Sequence, residues 1–289
     1  MEDNIITVNS VSGGKTSSYM AAHFPADYNV FSLITTNDKK CLFPDDKIRK
    51  VVSEKIGREF IGTLEEDEII YTMLDLEQFI GSKINWLVGP TFEDTIGRGT
   101  KRYLPNGRKR ICTTSMKIDP MKEFWFKKIR KPIETRIGYR SNETTRVTKM
   151  LKRCSIDGFI YEKFPVGNTS NGGIKWKEVQ YQRPSFPLVD EKPTLKDEIE
   201  KFWKRKPVRF AYMNNCIGCF HRNPVLLKYM SQKHPNKFQW FIDQEENNGY
   251  GKRTFIDGTT YQKIKDSNLD TSSFSDDDFN NCDTGYCGI

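Results

Sequence analysis

The stretch Asn4-Ile5-Ile6-Thr7-Val8-Asn9-Ser10 runs through Val11 into Ser12-Gly13-Gly14-Lys15-Thr16-Ser17 and on to Ser18-Tyr19-Met20-Ala21-Ala22-His23. Its first seven residues include β-branched side chains, which favour a strand. A Gly-Gly pair follows. Lys15 to His23 then reads as a helix whose start carries hydroxyl residues suited to capping. Strand, glycine turn and helix, in that order, leave backbone N–H groups free to point at an anion. The helix start adds partial positive charge. Ser12, Thr16, Ser17 and Ser18 add hydroxyl donors, and Lys15 adds a full charge. The spacing is neither G-x-x-x-x-G-K-[ST] nor G-x-G-x-x-G.

Outward from this turn the pattern alternates. Tyr28 to Thr36 predicts a second strand, Asp45 to Ile56 a helix, and Glu68 to Leu74 a third strand. Residues 88–110 are rich in Gly, Arg and Lys and predict a basic loop, with Pro105-Asn106-Gly107 as a turn. Ser115 to Lys128 predicts a helix with Pro120 near its first turn. Pro132 to Tyr139 predicts another strand, and a helix begins at Asn142. Residues 165–185 predict irregular structure. From Lys192 onward the composition shifts to helices punctuated by cysteines, and residues 265–281 are acidic and Ser-rich.

Strands alternating with helices predict an α/β fold, a parallel Rossmann-like sheet with helices on both faces. Such sheets bind ligands at the carboxyl ends of their strands. The expected organisation is a nucleotide-binding domain over residues 1–190 and a small, mostly helical, Cys-bearing C-terminal subdomain over 191–289.

No stretch approaches the ~18 apolar residues that a membrane span needs. The Met1-Glu2-Asp3-Asn4 start lacks a signal-peptide pattern. A cytoplasmic protein is the expectation. Lysines and arginines number 46 against 38 acids, a net charge of +8. This excess fits a polyanionic partner, a nucleotide or a nucleic acid; the alternative is a merely basic surface.

Seven cysteines without a secretion signal argue against disulfides. Cys216 and Cys219 form a C-x-x-C pair, which presents two thiolates to one metal. Cys282 and Cys287 are the obvious second pair, and four cysteines complete a zinc site or a 4Fe–4S cluster. His221, two residues after Cys219, is an alternative ligand. Spacing does not choose between zinc and iron–sulfur.

Ser12-Gly13-Gly14-Lys15-Thr16-Ser17 resembles the S-G-G-x-D-S loop of the PP-loop ATP pyrophosphatase superfamily, with Thr16 where that superfamily often has Asp. Arg110-Ile111-Cys112-Thr113-Thr114-Ser115-Met116-Lys117-Ile118-Asp119-Pro120 resembles the R-x-C-T-x-x-x-K-x-x-P segment of phosphoadenosine phosphosulfate (PAPS) reductase-like proteins. Gly138-Tyr139-Arg140-Ser141-Asn142-Glu143-Thr144-Thr145-Arg146 resembles their G-x-R-x-x-E-x-x-R segment. Asn215-Cys216-Ile217-Gly218-Cys219-Phe220 resembles the N-C-x-x-C-F segment of a branch common in phages and mobile elements. The segments come in the family's order and span nearly the whole chain.

The resemblance implies an enzyme that binds ATP or PAPS, with Mg, and acts at the α-phosphate or the sulfonate in sulfur transfer or nucleic-acid modification. It implies Ser12, Gly13, Gly14, Lys15, Thr16, Ser17, Arg110 and Arg146 as nucleotide-binding residues, with Lys15, Lys117 and Arg140 at the chemistry. It leans toward 4Fe–4S over zinc at Cys216, Cys219, Cys282 and Cys287. Partners would be the adenine nucleotide and either a nucleic acid or a thiol or sulfur-donor protein. Two other readings stand beside it. One is a nucleotide-sensing protein without turnover. The other is a PAPS reductase using Cys287, whose Tyr286-Cys287-Gly288-Ile289 tail lacks the Glu and His of the reductase segment.

Overall fold

A computed structural model describes residues 5–97, 103–247 and 253–271. Six strands form one sheet: β1 (Ile6–Val11), β2 (Tyr28–Leu33), β3 (Ile84–Val88), β4 (Ile133–Arg136), β5 (Ile160–Asn168) and β6 (Ile174–Ser185). Their order is β3-β2-β1-β4-β6-β5. The β1–β2, β1–β4, β2–β3 and β4–β6 pairings are parallel, and β5 runs antiparallel to β6.

The helices follow in chain order. The first four are α1 (Lys15–His23), α2 (Asp46–Ile56), α3 (Glu68–Ile80) and α4 (Phe92–Ile96). A continuous helical stretch then comprises α5 (Ile111–Thr113), a π turn (Thr114–Ile118), α6 (Asp119–Phe124) and a second π turn (Trp125–Ile129). Beyond it lie α7 (Thr144–Leu151), α8 (Pro187–Asp190), α9 (Lys196–Trp203), α10 (Pro224–Lys233), α11 (Pro235–Glu246) and α12 (Tyr261–Asp266). The architecture is a mostly parallel, Rossmann-like sheet flanked by helices, with a helical C-terminal region.

Alternation along the strands divides the core. Phe31 and Leu33 of β2 face a layer built from α1, α2, α3 and α9, with Val52, Ile69, Met73 and Trp203. Val30 turns the other way, toward Val8, Ile133, Trp125 and Tyr181. The C-terminal helices do not form a core apart from the sheet domain. Met230, Phe238, Trp240, Phe241 and Tyr261 cluster with Ile34, Leu64, Phe92 and Met116. Each such fully buried side chain contributes roughly 1.5–3 kcal/mol. Among the described residues no helix is long and apolar enough to cross a membrane.

Two local expectations are corrected. Glu68–Leu74 is the first half of helix α3, because its apolar residues Ile69, Ile70, Met73 and Leu76 fall on one helical face. The strand after β2 is instead Ile84–Val88. Residues 165–185 are not irregular; they lie in the β5–β6 hairpin and its Thr169–Gly173 tip.

Candidate functional site

From β1 the chain proceeds to β2 and β3 on one side of the sheet; β4 and β6 lie on the other. The crevice between the carboxyl ends of β1 and β4 is therefore a topological switch point, where open α/β sheets take their ligands. A solvent-open cleft of about 920 Å³ lies there. Its floor is Ser10, Ser12 and the Gly14–Ser17 turn. One wall comes from Ile137–Arg140 and Glu143, between β4 and α7, and from Arg146 in α7. The opposite wall is Lys196, Ile199 and Glu200 of α9, with Phe210–Tyr212 and Asn214.

Hydroxyl groups hold the floor in shape. The Ser12 N–H donates to Ser17 Oγ at 3.1 Å, and Ser17 Oγ donates to the Gly14 carbonyl at 3.1 Å. Gly14 is the N-cap of α1, and no side chain caps that helix. The first-turn N–H groups are thus left without a side-chain acceptor, which suits an anion. The Trp203 Nε1–H donates to the Lys15 carbonyl at 2.9 Å and ties α9 to the turn.

Every cation with a described partner in this cleft meets a carboxylate. Lys15 Nζ pairs with Glu200. Glu143 accepts from the Arg140 backbone N–H at 2.7 Å and from Arg140 Nε at 3.2 Å, and it also pairs with Arg146. The Arg146 guanidinium lies 4.1 Å from the centre of the Tyr139 ring, a cation–π contact that fixes its plane. Burial pushes the Glu143 carboxyl upward, but the Arg140 N–H and the Arg146 charge outweigh it and hold it below its ordinary value of 4.5.

A depressed carboxylate stabilises the fold above the unfolded-state value and loses that contribution as pH falls through the folded one. Wild type is therefore expected to lose more stability than Glu143→Gln as pH drops below 4.5. Urea unfolding of both proteins across that range checks this.

The expected site residues divide into two groups. Ser12, Gly14, Lys15, Thr16, Ser17, Arg140 and Arg146 meet around the cleft, with Gly13 in the same turn. Arg110 and Lys117 do not line it. They line a neighbouring solvent-open pocket of about 420 Å³ together with Cys112, Cys216, Cys219 and His221. Lys117 Nζ is 3.2 Å from Glu65, and the lysine also borders a shallow hollow shared with Ser10 and Ser12.

A tight turn, closed by the Cys219 N–H donating to the Cys216 carbonyl at 3.0 Å, sets both C-x-x-C residues beside Cys112. Burial raises the Cys112 thiol above its ordinary value. Burial, with the Arg110 and Arg222 charges, lowers His221. Among the described residues no group of three or more His, Cys, Asp or Glu side chains converges as a metal site. Cys282 and Cys287 lie outside the described residues.

Sequence reading missed the whole α9 wall. Glu200, Lys196, Phe210, Tyr212 and Asn214 reach the cleft only through tertiary packing, and nothing local marks them. The approach is close: a Cβ added to Gly14 would sit 2.6 Å from Asn214 Nδ2. Comparison of the chain with family models, curated proteins and solved structures finds no match.

Proposed function

We propose that the cleft holds the phosphate chain of an adenine nucleotide, and that the protein is a PP-loop enzyme similar to PAPS reductase-like proteins. The observation that carries this reading is the convergence of the Ser12–Ser17 turn with Arg140, Arg146 and Lys196 at the switch point of a parallel sheet. Backbone N–H groups of the turn and Lys15 hold the β- and γ-phosphates. Arg140 and Arg146 stabilise charge developing on the departing pyrophosphate. Mg, if bound, would be carried by the phosphates and would offset their charge. The acceptor would enter at the separate pocket lined by Arg110, Cys112 and Lys117.

The cysteine pair is the proposed seat of a 4Fe–4S cluster or zinc. The described residues do not by themselves converge as a metal site. Metal analysis of anaerobically purified protein tests it.

A second reading, nucleotide sensing without turnover, is favoured by one observation. Thr16 offers no carboxylate, and the cleft carboxylates Glu143 and Glu200 are each committed to cations.

Calorimetric titration with ATP, followed by an assay of pyrophosphate release with and without added nucleic acid, separates the readings. Binding with release is the expected result. Binding without release favours sensing, and absence of ATP binding sinks both. Sulfite release from PAPS that disappears in Cys287→Ser moves the chemistry to the sulfonate.

A further inference from the structure

The β5–β6 hairpin leaves the sheet. Only Gln182–Ser185 of β6 pair with β4, opposite Ile133–Arg136. From Tyr181 back to Ile174, β5 is the sole strand partner of β6 among the described residues. The two strands therefore form a ribbon that projects beyond the amino-terminal edge of β4, the edge opposite the cleft. At ~3.3 Å per residue the projecting part reaches roughly 25 Å.

A free two-stranded ribbon is marginal in water. This one nonetheless exposes Val166, Ile174 and Trp176, at 48%, 57% and 56%. Its base is anchored by aromatic packing on the second π turn. Phe164 stacks on Phe126 at 5.4 Å, and Tyr181 meets Trp125 edge-on at 5.2 Å.

Charge is concentrated at the same place. Segments 122–131 and 160–185 hold nine lysines and arginines against three acids, and so supply six of the chain's eight net positive charges. Glu162 pairs with Lys122 and Glu123 with Lys127, while Glu178 sits opposite Lys163 in the ladder. Arg183 is bridged to Glu134. Residues two apart on a strand share a face. Lys175 and Lys177 thus lie on the face of β6 that carries Val179 and Tyr181, the face that packs on the turn bearing Lys127, Lys128, Arg130 and Lys131. Ile174 and Trp176 occupy the opposite face.

We propose that the ribbon and the adjoining 127–131 turn form a docking surface for duplex DNA, with the ribbon in the major groove and the turn on the flanking phosphates. A B-form major groove, ~12 Å wide, admits a two-stranded ribbon. The deep, narrow major groove of A-form RNA does not. The lysine-bearing face meets the phosphate wall, and Ile174 and Trp176 offer apolar contact to thymine methyl groups. The surface is separate from the cleft, so the proposal stands whether or not the cleft takes a nucleotide.

The test is fluorescence anisotropy of a labelled duplex with the full chain, at two salt concentrations. The triple variant Lys131→Gln/Lys175→Gln/Lys177→Gln is expected to lose at least tenfold in affinity at low salt. Its log–log salt slope should fall by about 3, near one per phosphate contact removed. Trp176→Ala, at an exposed position, is expected to weaken binding severalfold and leave the slope unchanged. Unaltered thermal melts of both variants show that the fold survives.

Equal duplex affinity in the wild type and triple variant overturns the proposal. So does tighter binding to the single strand, or equal binding to duplex RNA of the same sequence. Binding to phosphatidylserine vesicles without binding to DNA overturns it in favour of a membrane surface.

Discussion

Lys15→Ala is expected to weaken ATP or pyrophosphate binding by about a hundredfold, and Glu200→Gln to strengthen it. A hydrogen bond to a charged group contributes about 1.5–3 kcal/mol, and each 1.4 kcal/mol is about tenfold in affinity. Removing Lys15 also leaves the Glu200 carboxylate without its cation in the proposed phosphate cleft. In the unliganded protein that carboxylate occupies Lys15, so phosphate has to displace it. The pair is about a quarter exposed on each side. An exposed pair contributes up to about 1 kcal/mol, so Glu200→Gln should tighten binding up to about fivefold. The double variant Lys15→Ala/Glu200→Gln should recover part of the loss. Isothermal titration of all four proteins provides the check. Weaker binding in Glu200→Gln would show that the carboxylate supports the anion and does not compete with it.

Gly13→Ala is expected to destabilise the protein by about 3 kcal/mol. Gly13 has φ +79, and a Cβ there would lie 2.8 Å from Ile69 Cγ2 on α3. A left-handed backbone costs an L-residue roughly 1–2 kcal/mol, and overpacking a fitted core a further ~1–3 kcal/mol. The loss is a large share of an ordinary stability of about 5–15 kcal/mol. The two causes separate in a cycle: Gly13→Ala/Ile69→Ala should cost less than the sum of the single variants, because the clash is gone and only the backbone strain persists. Additive losses in urea unfolding would refute the contact.

What the sequence disclosed followed how far each feature is local. Strand β1, the glycine turn and α1 form one contiguous signal of composition and capping, and they were legible. Glu68–Leu74 misled because a seven-residue window over Ile69, Ile70 and Thr72 resembles a strand. The helical period emerges only when the window extends to Leu76 and beyond. The β5–β6 ribbon was hidden for the opposite reason. Beyond the sheet most of its residues meet water on both faces, so no inward–outward alternation was there to read, and its Gly-rich tip looked like a loop. In the cleft, Arg140 and Arg146 entered through the resemblance of Gly138–Arg146 to a family segment, and the structure places both beside the turn. The separation of Arg110 and Lys117 was not legible, since it depends on where the π turn at Thr114–Ile118 sets them. The α9 wall lay more than 180 residues from the loop it faces, and a charged amphipathic helix advertises only a solvated surface.

That wall has a consequence for how the protein comes into being. The Lys15 carbonyl is held by Trp203, Lys15 Nζ by Glu200, and Gly14 abuts Asn214. A chain emerging from the ribosome displays the glycine turn early, yet it lacks one side of the cleft until residue 214 has been made and docked. Such long-range closure is slow compared with local helix formation. Nascent fragments ending before Glu200 should therefore be blind to the ligand of the finished protein, and ligand capture should mark the completion of folding rather than its start.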